Sequence, residues 1–251
     1  MRTIRVIGIG AGDPEHVTVQ AINALNATDV FFLVDKGEDK RDLLDLRREV
    51  CDRYVEGSYR AVVIQEPPRD RTSPDYRSAV EDWRQRRADA FEAAIRDELA
   101  ENDRGAFLAW GDPAIYDSTL GILEEIVRRG ELEFELEVVP GISSIQALAA
   151  RHGVSLTRVG RPLQITTGRL LAEGLSEDVE DVVVMLDGQG ALGAVEDELD
   201  VYWGAYVGSD DEVLVSGDLN TVRPEIERMR AEARERKGWV MDTYLLRRRR
   251  R

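Results

Sequence analysis

The chain has 251 residues, 43% hydrophobic and 33% charged, enough for one large or two medium globular domains with ample core. A formal charge of −15, from 34 basic and 49 acidic residues, argues against wholesale nucleic-acid binding, and an anionic substrate would need a local arginine patch. Cys51 stands alone beside only His16 and His152, which excludes a disulfide framework and makes a zinc constellation improbable. No apolar run approaches the ~20 residues that span a bilayer. The opening MRTIRVIGIGAG lacks the pattern of a signal peptide, so a cytoplasmic address is expected, with no metal and no membrane partner.

Residues 3–9 (TIRVIGI) read as a buried first strand running into Gly8-Ile9-Gly10-Ala11-Gly12-Asp13-Pro14. A dinucleotide fingerprint fails at its third glycine, where Asp13 would set a negative charge against a pyrophosphate. Asp35 sits about where a ribose-binding acid belongs, which keeps an NAD(P)-dependent oxidoreductase among the readings. Thr18 is a good N-cap for a helix over 19–27. A second strand over 30–34 (VFFLV) ends in Asp35-Lys36-Gly37, and a helix over 42–54 carries an apolar stripe of Leu43, Leu46 and Val50, with Arg47 and Arg48 read as lying on another, solvated face. A third strand over 62–64 leads through the Pro67-Pro68-Arg69-Asp70-Arg71 loop into a long helix over 78–101 that contains Trp83.

The stretch AWGDPAIYDST, 109–119, organises the rest. A strand over 106–110 is stopped by Gly111-Asp112-Pro113, and such a turn at the carboxyl end of a parallel strand is where open α/β sheets bind ligands. Taken alone, such a turn is more often a plain connection than a ligand site. Tyr116-Asp117-Ser118-Thr119 opens a helix to Arg129, with hydroxyls that can cap it or bind ligand. A strand over 133–139 ends in Pro140-Gly141-Ile142-Ser143-Ser144 and a helix over 145–151. Alternating strands and helices predict an α/β domain with a largely parallel sheet over 1–156. A second α/β domain is expected over 162–251, after a looser stretch at 154–162. Its elements are a strand near 163–167, a buried strand over 181–186, a hairpin of 205–207 with 212–216, a helix over 224–237 and a last strand over 239–246. The closing Arg247 to Arg251 reads as a frayed, solvated tail.

Gly8-x-Gly10-x-Gly12-Asp13-Pro14, Thr18, Gly111-Asp112-Pro113-x-x-Tyr116 and Pro140-Gly141-Ile142-Ser143-Ser144 resemble, in order and spacing, the signatures of the tetrapyrrole methylase family. Later motifs, among them Thr167-Gly168-Arg169, Val184-Met185-Leu186-Asp187-Gly188, Trp203-Gly204-Ala205-Tyr206 and the 238–247 segment, resemble its deacetylating branch. That resemblance implies two α/β domains with the active site in the cleft between them, and a homodimer. It implies S-adenosylmethionine as cofactor, with S-adenosylhomocysteine as product. The reaction implied is methylation at C1 of precorrin-5 with release of acetate, in aerobic cobalamin biosynthesis. A same-fold methylase acting on another tetrapyrrole or on diphthine stays open beside it.

Cofactor contacts implied by the resemblance are Gly111, Asp112, Pro113, Ile115, Ser118, Thr119, Met185, Leu186, Tyr206, Val207 and Met241. Asp35, Lys36, Tyr116 and Arg169 are the candidates near the chemistry. Gly10, Gly12, Asp13, Arg47, Arg69 and Arg71 are expected on the substrate, whose ring carboxylates match guanidinium forks, and Arg48 and Arg169 are further partners of that kind. The partner expected is therefore a small tetrapyrrole, not nucleic acid.

Overall fold

A computed structural model of the chain describes residues 1–37, 41–68, 75–175, 179–195 and 198–249. The chain folds into two compact units, Met1–Gly10 with Pro14–Ile142, and Ala11–Asp13 with Ser143–Arg251. The looser stretch at 154–162 lies inside the second unit, between its first helix and first strand.

The first unit carries a five-stranded sheet in the order β3-β2-β4-β1-β5, every neighbour parallel. The strands are β1 (Arg2–Gly8), β2 (Val30–Asp35), β3 (Arg60–Gln65), β4 (Arg104–Ala109) and β5 (Phe134–Val139). The helices between them are α1 (Val19–Asn26), α2 (Arg41–Tyr54), α3 (Tyr76–Glu98) and α4 (Thr119–Arg129). Period-two side chains divide the strands between two cores. Ile4, Val6, Phe32 and Phe107 pack under α3 and α4 with Phe91, Ile95, Leu123 and Ile126. Ile7, Phe31, Leu33 and Leu108 pack under α1 and α2 with Ala21, Leu25, Val50 and Cys51. Phe107 stacks between Phe91 at 4.7 Å and Phe32 at 5.1 Å, and each such buried ring stabilises by roughly 1.5–3 kcal/mol. Thr18 caps α1 as expected, its Oγ1 accepting from Ala21 N–H at 3.0 Å.

Because all five strands run the same way, their carboxyl ends and following loops lie along one edge. Strand β1 sits between β4 and β5 and does not neighbour β2. That order departs from the dinucleotide-binding sheet, in which β1 adjoins β2, and it removes the structural basis of the oxidoreductase reading.

In the second unit, α5 (Ser144–His152) precedes a five-stranded sheet of order β6-β7-β10-β8-β9. The strands are β6 (Leu163–Thr167), β7 (Asp181–Met185), β8 (Leu199–Ala205), β9 (Val213–Asp218) and β10 (Asp242–Arg248), with α6 (Gly168–Leu171) and α7 (Leu219–Lys237). Strands β6 and β7 are parallel and the remaining pairs antiparallel. Val182, Val184, Val201, Trp203, Tyr244 and Leu246 form one face, covered by α7 through Leu219, Ile226 and Ala233. A capping box starts α5: Ser143 Oγ accepts from Ile145 N–H, and the Gln146 side chain accepts from Ser143 N–H at 3.0 Å.

Three sequence expectations need correction here. The expected strand over 205–207 is instead the end of the longer β8, whose alternating LDVYWGA pairs with both β10 and β9, and Tyr206 at φ 49° turns the chain out of it. Helix α7 begins at Leu219, because Asp218 caps it by accepting from Thr221 N–H at 2.8 Å; Pro224 lies inside the helix. The arginine run is not a solvated tail as far as Arg249. Arg247 and Arg248 belong to β10, Arg247 Nε lies 2.7 Å from the fully buried Asp181, and Arg249 meets Asp200 at 2.8 Å. Residues 250 and 251 fall outside the described residues.

Candidate active site

Three loops at the carboxyl edge of the first sheet meet at their backbones. Gly111 N–H donates to Gly10 O at 2.8 Å, and Gly111 adopts φ 73°. A side chain at Gly141 would stand 2.2 Å from Gly111 O and 2.8 Å from Gly8 Cα, so the loops after β1, β4 and β5 approach more closely than any Cβ permits. Asp112 joins two of them: Oδ1 accepts from Ala114 N–H at 2.8 Å and Oδ2 from Gly141 N–H at 2.9 Å. Pro113 is buried behind this turn, and Ile115 N–H closes it onto Asp112 O at 3.2 Å. Tyr116 follows with φ 52° and 47% of its surface exposed. A bulky residue held at positive φ costs on the order of 1–3 kcal/mol and persists where its surroundings over-determine it, as they often do at a binding site.

The helix start after this loop differs from expectation. Asp117 Oδ1, not a hydroxyl, accepts from Thr119 N–H at 2.7 Å, and Thr119 is buried. Ser118 Oγ instead accepts from Arg87 Nη1 at 2.6 Å. Arg87 is 3% exposed, lies 4.6 Å over the Trp83 ring one turn earlier on α3, and places Nε 3.0 Å from Glu66 Oε1. Lys36 follows β2 with its side chain exposed. Asp35 is occupied by local bonds, Oδ1 accepting from Gly37 N–H and Oδ2 from the Gln65 amide at 3.3 Å.

Arg47 is not on a solvated face. It is 6% exposed, its Nε donating to Leu108 O at 2.9 Å and Nη1 to Leu43 O at 2.7 Å. Spacing carried the signal: Arg47 lies one turn after Leu43 and one before Val50, on the stripe itself. Arg48 is the exposed neighbour. Arg69 and Arg71 lie outside the described residues. Glu66 and Arg87 were missed by sequence reasoning. The only hint was Trp83 four residues before Arg87, a spacing that stacks a guanidinium on a ring.

Of the substrate-side glycines, Gly10 at φ 85° packs against His16, where a Cβ would come within 2.4 Å of His16 Cβ. Gly12 lies against the backbone of 207–209, and Asp13 beside it is half-buried. Arg169 is exposed at the start of α6, in the second unit.

In that unit the strand ends bear the other expected cofactor residues. Met185 closes β7, and Leu186 after it holds φ 55° with 55% exposure. Tyr206 is buried at φ 49°, its N–H donating to Met241 O at 2.9 Å and its hydroxyl to Trp239 O, with Val207 buried beside it. Behind these ends lies a buried polar network that sequence reasoning also missed. Asp187 accepts from Gly190 N–H, Ala191 N–H and the Tyr244 hydroxyl at 2.8–2.9 Å. Asp242 meets Arg230 at 2.9 Å, and burial, reinforced by Asp187, pushes its pKa up to about 6. A cavity of about 300 Å³ beside Asp242, lined by Trp203 and Arg230 among others, includes none of the expected cofactor residues.

These features fit a nucleoside-bearing sulfonium. Backbone polar groups, small loops and exposed apolar side chains at strand ends can hold adenosine and a methionyl chain. Among the described residues no cluster of His, Cys, Asp and Glu could hold a metal ion, and no helix is long and apolar enough to cross a membrane.

Known proteins resemble this chain in sequence and in fold. The family model described as Tetrapyrrole (Corrin/Porphyrin) Methylases matches residues 3–223. A Sinorhizobium protein named precorrin-6A synthase [deacetylating] is 49% identical over 98% of this chain and 95% of its own. The crystal structure of a cobalamin synthesis related protein, CobF, from Corynebacterium diphtheriae superimposes with a TM-score of 0.83 at 37% identity, covering 98% of both chains. A Thermus thermophilus uroporphyrin-III C-methyl transferase, solved with S-adenosylhomocysteine, shares the fold at a TM-score of 0.58 and 20% identity, covering 97% of this chain and 96% of its own. The chain belongs to the tetrapyrrole methylase family.

Proposed function

We propose that this protein is an S-adenosylmethionine-dependent methyltransferase, a deacetylating precorrin-6A synthase, which methylates C1 of precorrin-5 and releases its acetyl group as acetate in cobalamin biosynthesis. The observation that carries this reading is the 49% identity, spread over nearly the full length of both chains, to the Sinorhizobium precorrin-6A synthase.

The cofactor supplies an electrophilic methyl on a sulfonium. This chain supplies alignment, which in well-oriented systems contributes up to ~7–11 kcal/mol. Gly111, Asp112, Pro113, Ile115, Ser118, Thr119, Met185, Leu186, Tyr206, Val207 and Met241 would hold the donor. A loop braced by backbone bonds and one carboxylate suits this role, because methyl transfer to carbon asks little of protein acids and bases. Gly10, Gly12 and Asp13 border the macrocycle, with Arg69 and Arg71 as partners for its carboxylates. Arg47 serves differently, by holding the β4 end through Leu108 O. Tyr116 and Arg169 face the reacting ring. The protein acts as a homodimer in the cytoplasm.

The test is direct. Incubated with S-adenosylmethionine and precorrin-5, the protein forms S-adenosylhomocysteine and acetate in equal amounts. Methyl transfer to precorrin-2 or uroporphyrinogen without acetate would place it with its sister methylases. Light scattering on the purified protein tests the dimer.

A further inference from the structure

The proposed reaction, on which this inference rests, has a second half that alignment alone does not perform. Acetyl loss requires water to attack the acetyl carbonyl, a base to take the water proton, and a cation to receive the oxyanion. The first unit gathers such groups at the carboxyl ends of β2 and β3. Glu66 directly follows β3, its N–H donating to Asp35 O at 2.9 Å, and its side chain is 17% exposed. Arg87 engages it through one oxygen, Oε1, and is itself fixed by Ser118 and the Trp83 ring. Lys36 lies within the same electrostatic neighbourhood, with Arg47, Arg87 and Asp117.

Other bases near this edge, among the described residues, are committed. Asp35 and Asp112 use both oxygens on local donors, and Asp117 caps α4. Of the two histidines, His152 Nε2 is bonded to Trp203 O, and His16 packs against Gly10 with Nδ1 buried.

We propose that Glu66 is the general base of acetate release and Lys36 the cation that receives its oxyanion, Arg87 acting as a positioning residue that aims the Glu66 carboxylate. Methyl transfer comes first and leaves the ring short of an electron pair. Glu66 then takes a proton from water as the water oxygen bonds to the acetyl carbon, and the carbonyl π pair moves onto oxygen beside Lys36. Collapse of that intermediate restores C=O and breaks the bond between acetyl and ring carbon. The bonding pair stays on the macrocycle and neutralises it, acetic acid departs, and its proton and that held by Glu66 pass to solvent.

The experiment follows the two products separately, with precorrin-5 and S-adenosylmethionine. Glu66→Gln keeps shape and hydrogen bonding but cannot take the proton. It should form S-adenosylhomocysteine within about threefold of the parent rate while acetate release falls by roughly 10²–10⁴, so that a methylated, acetyl-bearing ring accumulates. Lys36→Met should show the same split by at least about tenfold, and it perturbs no buried core. Arg87→Lys should shift the pH profile of acetate release while leaving that of methyl transfer in place. Acetate release unchanged in Glu66→Gln, or lost in step with methyl transfer in both the Glu66 and Lys36 variants, overturns the assignment. Failure of the parent protein to methylate precorrin-5 would instead overturn the underlying function.

Discussion

Asp112 offers the sharpest test of how the first-unit loops are held. Its two oxygens accept from Ala114 N–H at 2.8 Å and Gly141 N–H at 2.9 Å, and the second bond ties the β4 loop to the β5 loop. Asp112→Asn preserves shape but turns one oxygen into a donor, so one of these N–H groups must face another N–H. A hydrogen bond to a charged group contributes about 1.5–3 kcal/mol, and a part-buried donor left unmet costs about as much. The amide will turn its nitrogen toward Ala114, the more exposed partner, which favours the lower half of that range. For a chain of this length, 1.5–3 kcal/mol lowers Tm by roughly 3–12 °C. Because the loop is the expected cofactor contact, S-adenosylhomocysteine should bind at least about tenfold more weakly, equivalent to about 1.4 kcal/mol.

Urea unfolding followed by circular dichroism supplies the first number and titration calorimetry the second. Asp89→Asn is the control, since Asp89 is largely exposed beside Arg129 and its loss should stay within about ±0.5 kcal/mol. An Asp112→Asn protein matching the parent in both measurements would refute the claim that this carboxylate braces the loops. Loss of stability with unchanged affinity would keep the brace and remove the cofactor role.

Three further outcomes follow from the same structure. Gly141→Ala should unfold or severely destabilise the protein, because its methyl would meet backbone atoms of Gly111 and Gly8 that have no side chain to move; melting curves check this. Cys51 is buried, and burial raises its thiol to about 12, so a thiol reagent at pH 8 should label the native protein only at its unfolding rate and label it fully in denaturant. The Asp242 carboxyl is raised from 3.8 to about 6, so the native state binds the extra proton and stability falls as pH rises through that window. Asp242→Asn should remove roughly 2 kcal/mol of that slope, seen as a stability difference between parent and variant that shifts toward the variant from pH 4.5 to 7.5.

Much of the first unit could be read from its residues. VFFLV and AFLAW are apolar on both faces, as strands covered by helices on each side must be, and a Gly or Asp-Pro after each marks where the ladder stops. The second unit was harder because its antiparallel strands are interrupted by polar residues whose partners are distant. Asp181 and Asp187 look like surface charges in sequence, and become core residues only because Arg247, Arg158 and Tyr244 arrive from far along the chain. No local pattern announces such a pairing, since burying a charge is tolerated only when distant donors satisfy it.

The same logic explains why Arg47, Glu66 and Arg87 escaped notice while Gly111-Asp112-Pro113 did not. A turn needs its residue types for local backbone reasons, so it can be recognised where it stands. A buried cation needs carbonyls, rings and carboxylates that only the folded sheet edge assembles: Leu108 O for Arg47, and Trp83, Ser118 and Glu66 for Arg87. Buried ion pairs add little net stability over apolar residues of similar size, so their retention here asks for another cause. In a protein of net charge −15 that is proposed to take an anionic ring, cations held at one sheet edge supply both a local attraction for the substrate and a fixed orientation for Glu66. Replacing the pair Glu66 and Arg87 by Leu and Met should therefore leave the fold as stable as before, within about 1 kcal/mol, while acetate release disappears. A matching fall in stability would mean that the pair exists for the core and not for the chemistry.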